Sequence, residues 1–157
     1  MGLVGLTASS ALAQTTRQLT FDDLEFGNAD GQSIGGVSFA FQIGGASSTD
    51  AFVASYGPGT MTYVSDPSLT GNAGGTLLLD FLTPTPRLEF GVAVSSGLAL
   101  NDAIQVQLLD DAGATLGQYA IDTSVSGPLG FSEVLFAHLG PAVSRAQVSF
   151  AGDFRCV

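Results

Sequence analysis

Two adjacent carboxylates, Asp22 and Asp23, stand where an apolar run ends, in Leu19-Thr20-Phe21-Asp22-Asp23-Leu24. Calcium takes about six to eight oxygens, and carboxylates leaving a strand can converge on it together with loop carbonyls. Asp153, after the last apolar run, is the candidate third ligand, because first and last strands are often neighbours in sandwiches. The same pair equally suits the capping of a turn. Asp110 and Asp111 read as turn chemistry, since no calcium-loop spacing follows them. Tyr56 and Tyr63 flank Gly57-Pro58-Gly59 and suit a small platform for a sugar ring, whose apolar side lies flat on an aromatic face. They serve equally as amphipathic strand residues.

Catalytic templates fail. The chain has no Gly-x-Ser-x-Gly elbow, no phosphate loop and no paired histidines. Its one histidine, His138, sits among Phe136, Ala137 and Leu139, the setting of a structural hydrogen-bonder. Glu25, Glu89 and Glu133 are the carboxylates that a glycosidase would need to pair, but nothing marks a cleft between them. A single cysteine, Cys156, excludes an internal disulfide, and with one histidine it excludes a His/Cys zinc site.

The elements that must position these groups are strands. Short runs alternate apolar and polar residues and are broken by Gly, Pro, Asn and Asp. The expected strands are Gln18–Asp22, Val37–Ile43, Ala51–Tyr56, Thr60–Val64, Thr76–Leu82, Leu88–Val94, Ile104–Leu108, Thr115–Ile121, Phe131–Leu139 and Val143–Phe150. In Ile104–Leu108 the apolar residues alternate with Gln105 and Gln107. Asp110-Asp111-Ala112-Gly113 is a hairpin turn, with Gly113 free to take positive φ. No helical stripe, repeat or linker interrupts the series. The pattern predicts an all-β, antiparallel β-sandwich, with jelly-roll the expected topology.

Composition narrows the function. The length of 157 residues fits one domain. Acidic residues number 14 against 4 basic ones, a net charge of −10. Nucleic acid and anionic membrane surfaces need Lys and Arg, so both are excluded as partners. Only 11% of residues are charged, and 21 glycines with many Ser and Thr cover the surface instead. Residues 1–13 read as a signal peptide: Gly2 to Ala13 is apolar and small, and it ends Ala11-Leu12-Ala13 before Gln14. It is too short to span a bilayer, which takes roughly 20 residues. No positive n-region precedes it, so the start is expected to lie within a longer leader. The mature domain then runs over residues 14–157, secreted or at a bacterial cell surface.

Thr20-Phe21-Asp22-Asp23-Leu24 followed by Gly35-Gly36-Val37-Ser38-Phe39 resembles the opening of small secreted β-sandwich modules of bacterial PEP-CTERM surface proteins. Their V-x-L-x-D-x-x-G-x-x-L-G hairpin is matched from Val106 to Gly117, and their I-x-x-V-x-F strand by Val143 to Phe150. The resemblance implies a jelly-roll related to carbohydrate-binding domains, some of which hold calcium near the first and last strands; that would place Asp22, Asp23 and Asp153 at the metal. The family's sorting tail is absent, and the chain ends at Phe154-Arg155-Cys156-Val157, so the last strand is expected to be truncated or differently built. The function expected is a non-catalytic extracellular binding or matrix module, calcium-stabilised, with a polysaccharide as ligand. A structural protein that self-associates through edge strands is the alternative, and a sandwich-fold glycoside hydrolase the least favoured reading.

Overall fold

Alternation of Val37, Phe39 and Phe41 with Ser38 and Ala40 lets one strand bury three side chains on one face while the other face stays polar and small. The same logic builds the rest of the chain. The computed structural model describes residues 18–24, 26–127 and 130–150, with the backbone of 155 and 156. Its strands are β1 (Ser33–Ile34), β2 (Val37–Ile43), β3 (Ala46–Ser47), β4 (Phe52–Ala54), β5 (Ser68–Asn72), β6 (Gly75–Val94), β7 (Leu100–Leu109), β8 (Thr115–Ser126), β9 (Phe131–Phe150) and β10 (Arg155–Cys156). The described residues contain no helix, and every pairing is antiparallel, so the all-β sandwich expected from the sequence is the fold observed.

Two strands of 20 residues each, β6 and β9, organise it. They pair with each other from Thr76↔Ser149 to Val94↔Ser132 and bend together midway, where the register shifts between Asp80 and Arg87. The first half of β6 and the second half of β9 lie between β2 and the β7–β8 hairpin and form one layer. Their other halves form the second layer, flanked by β10, β5 and β4 on one side and by the end of β8 on the other. The core fills the space between: Ile104, Val106 and Leu108 of β7 and Ala146 and Val148 of β9 meet Val92 and Phe136 from the second layer. Phe136 also packs on Phe90 and Tyr119, with ring centroids 5.1 and 5.3 Å away.

The structure adds the short strands β1, β3 and β10, trims Ala51–Tyr56 to β4, lengthens β7 and β8, and departs further from the expected strands as follows. Thr76–Leu82 and Leu88–Val94 are one strand, as are Phe131–Leu139 and Val143–Phe150. Pro84, Pro86 and Pro141 lie between the expected strands, where the ladder slips register, and there a missing N–H costs no rung. Gln18–Asp22 is not a strand: residues 21–24 make a turn in which the Leu24 N–H donates to the Phe21 carbonyl at 3.1 Å. Phe21 is held instead by its ring, edge-on to Phe39 at 5.6 Å. Thr60–Val64 belongs to a long loop, 55–67, and the strand beside it is Ser68–Asn72, which one large apolar residue, Leu69, did not announce. The predicted Asp110–Gly113 turn forms, with Gly113 at φ 78° and the Asp110 carboxylate accepting from the Ala112 and Ala114 N–H groups. The expected leader, residues 1–13, lies outside the described residues.

Candidate functional site

Residues that alternate with the core on β6, β7, β8 and β9 must face outward from the first layer. On β7 these are Gln105 and Gln107, on β8 Gln118, on β9 Gln147 and Ser149, and on β6 Thr76. Register then assembles them. Gln147 pairs with Gln107, and Gln107 with Gln118, so three amides from three strands form one row. In the adjoining row Thr76 pairs with Ser149, and Ser149 with Gln105. Directly opposed side chains on an antiparallel pair stand about 5 Å apart, so the two rows are contiguous. They line a shallow depression of about 110 Å³.

The hydrogen bonding leaves this face partly unspent. Gln107 Nε2 donates to Thr115 Oγ1 at 3.0 Å, and Gln105 Nε2 donates to the Asp102 carbonyl at 3.2 Å. Each of those amides keeps its Oε1 without a protein donor among the described residues. Gln118 and Gln147 make no side-chain hydrogen bond among the described residues. The charge nearest in the register is the Arg145–Asp80 ion pair in the next row, exposed and self-compensating. A surface of this kind offers donors and acceptors without charge or titratable protons. It suits hydroxyls and amides, and no titratable side chain stands among the Thr76, Gln105, Gln107, Gln118, Gln147 and Ser149 that line it.

The outer face of the second layer is covered. Outward positions there are small, Gly91 and Ala93, next to Glu133 on the paired strand. The 55–67 loop lies on them. Glu133, 1% exposed, accepts from the Thr62 and Tyr63 N–H groups through Oε2, at 2.7 and 2.8 Å, and from the Ser126 hydroxyl through Oε1. A Cβ on Gly91 would sit 1.9 Å from the Tyr63 carbonyl oxygen, so only glycine lets the loop come this close. Met61 and Val64 tuck beneath, against Ala93 and Phe131. The Asp66 carboxylate closes the loop by accepting from the Tyr56 N–H at 3.0 Å.

Tyr56 and Tyr63 therefore stand on this loop, on the side of the sandwich away from the glutamines. They are 41% and 46% exposed, and Tyr56 meets Phe131 edge-on at 5.9 Å. Among the described residues no ring contact joins the two tyrosines. Asp22 and Asp23 are both exposed in the 21–24 turn. Asp153 and Glu25 lie outside the described residues. Among the described residues no three His, Cys, Asp or Glu side chains gather as a metal site. His138 is buried, and its Nε2 donates to the Pro141 carbonyl at 3.1 Å. Glu89 shares β6 with Asp80 and lies 3.7 Å from Arg87 at the surface.

Sequence reasoning noticed Gln105 and Gln107 only as the polar half of an alternation. It missed that the register would add Gln118 and Gln147. It also missed Glu133 as a clamp, although small residues at the outward positions Gly91 and Ala93 signal a covered face. No protein-family model matches the chain, and no curated protein matches it.

Proposed function

We propose that this chain is a non-catalytic extracellular binding module that holds a neutral polysaccharide on the glutamine face of its first layer. The observation that carries the reading is the Gln147–Gln107–Gln118 row beside Thr76, Ser149 and Gln105. Sugar hydroxyls both donate and accept, and so do side-chain amides, whereas a carboxylate only accepts. A net charge of −10 disfavours anionic polymers by repulsion and leaves uncharged ones. The apolar Gly2–Ala13 leader supports export, and the likeness to PEP-CTERM modules agrees with a place at a bacterial surface. Calcium belongs to the proposal as a stabiliser, with Asp22, Asp23 and Asp153 as candidate donors; the described residues supply two of the carboxylates it would need.

Affinity electrophoresis through gels cast with neutral polysaccharides tests the reading. Retardation by a neutral glucan or xylan is expected, and Gln107→Ala with Gln147→Ala should weaken it. Each lost hydrogen bond to a neutral partner is worth about 0.5–1.5 kcal/mol, so the pair should cost roughly five- to 150-fold in affinity. Retardation that survives this variant but disappears in Tyr56→Ala with Tyr63→Ala would move the site to the opposite face. No retardation by any neutral polysaccharide would end the glycan reading.

A further inference from the structure

The sheet edges are not treated alike. Beyond β2 the layer is closed off by β1 and β3, two residues each, and the far edge of the second layer is β4, three residues long. Short strands of this sort offer little to a second chain. The first layer's other edge is Thr115–Ile121 of β8, which pairs with β7 on one side and, among the described residues, with no other strand on its outer side. Its sequence, Thr-Leu-Gly-Gln-Tyr-Ala-Ile, has no charge and no proline. Lysine, proline and inward charge are usual protections of an edge, and none of these is in the segment. Half of its backbone N–H and C=O groups point outward, where another strand can meet them.

We infer that Thr115–Ile121 is the contact through which two copies of this chain pair, antiparallel and edge to edge. A strand of seven residues pairs in full with a second copy of itself when its centre, Gln118, lies on the two-fold axis. Tyr119 of one copy then stands opposite Gly117 of the other, while each Tyr119 ring already covers the Gly117 of its own strand. Gln118 faces its own counterpart, and the two amide rows join into one row across six strands. The first charged residue along the strand, Asp122, falls beyond the paired segment. This pairing does not depend on the glycan reading, because it rests on backbone groups and on the composition of one edge.

Sedimentation velocity on the intact chain, from micromolar to near-millimolar concentration, tests it. The expected result is a shift from one chain to two as concentration rises. Ala120→Lys should abolish the shift. Ala120 is exposed and faces outward, so lysine is tolerated in the fold but charges the edge. Circular dichroism and the thermal midpoint confirm that this variant is folded. Leu82→Lys is the contrasting variant, since Leu82 and Leu139, 87% and 85% exposed at the bend of β6 and β9, are the competing apolar contact. Dimerisation that Leu82→Lys keeps and Ala120→Lys loses supports the edge. A chain that stays single throughout, or a dimer that Leu82→Lys dissolves and Ala120→Lys does not, overturns it. A monomeric Ala120→Lys that still binds polysaccharide would separate this contact from the glycan site.

Discussion

Glu133 is the side chain whose removal should reveal most about how the fold is held. It is a buried carboxylate with three donors pointed at it, and two of them, the Thr62 and Tyr63 amides, come from a loop about 70 residues away in sequence. Glu133→Ala leaves all three without their acceptor. An unsatisfied buried donor costs about 1–3 kcal/mol, so the two amides alone give roughly 2–6 kcal/mol. Thr62 and Tyr63 are exposed residues, and water reaching their amides pulls the value toward the lower half, about 3 kcal/mol. For a chain of this length that is a fall of roughly 6–12 °C in Tm. Glu133→Gln separates geometry from charge: its Oε1 can still accept both amides while its Nε2 donates to the Ser126 oxygen, so the loss should be nearer 1 kcal/mol. Urea unfolding of the three proteins measures the totals. Amide exchange at Thr62 and Tyr63, with chymotrypsin cleavage after Tyr63, shows whether the loss begins at the loop. Equal damage from both variants would mean that the charge, not the set of hydrogen bonds, does the holding. No damage from Glu133→Ala would refute the clamp altogether.

Three further outcomes follow from the same geometry, and a fourth concerns the metal. Hydrogen bonds from the Ser47 hydroxyl and then the Phe41 N–H hold the Asp30 carboxyl below its ordinary value. Its contribution is therefore complete above the unfolded pKa and is lost as pH falls through the lowered folded value; urea midpoints across an acid series should fall less steeply in Asp30→Ala. Gly91→Ala should cost about 1–3 kcal/mol and expose Tyr63 to chymotrypsin, because the new methyl meets a backbone carbonyl rather than a yielding side chain. Asp80 and Arg145 are 41% and 45% exposed, so a double-mutant cycle should return no more than about 1 kcal/mol between them. If calcium stabilises the fold, the melting temperature rises with calcium, falls with chelator, and stops responding in Asp22→Ala with Asp23→Ala.

Much of the architecture was legible because alternation is a local signal. Val37–Ile43 was read to the residue; the β7–β8 hairpin and its Gly113 turn were read in place, but its strands run four and five residues further, to Leu100 and Ser126. The bend that joins two expected strands into one was hidden, since Pro84, Pro86 and Pro141 look the same in a chain break and in a register slip. The glutamine face was half visible: Gln105 and Gln107 lie two residues apart, but only register shows that Gln118 and Gln147 flank Gln107. Glu133 could not be read at all from its neighbours. By alternation it points away from the core, as a solvated glutamate would, and its burial comes from a distant loop that looked like a strand and a turn.

The shared bend of β6 and β9 has a bearing on how the chain acquires its structure. Because both layers are built on this one pair of strands, neither can close before they meet, and the Asp80–Arg145 contact spans 65 residues. Local hairpins such as β7–β8 can form early, but they have no sheet to join until β9 is in place. Such a dependence on distant partners makes folding slow and cooperative, with little to gain from partial order. A chain halted before residue 131 would lack every ladder made by β9, which joins β6 to β7 in the first layer and β6 to β8 in the second, so neither layer would be complete and the molecule is expected to behave as a single folding unit despite its two sheets.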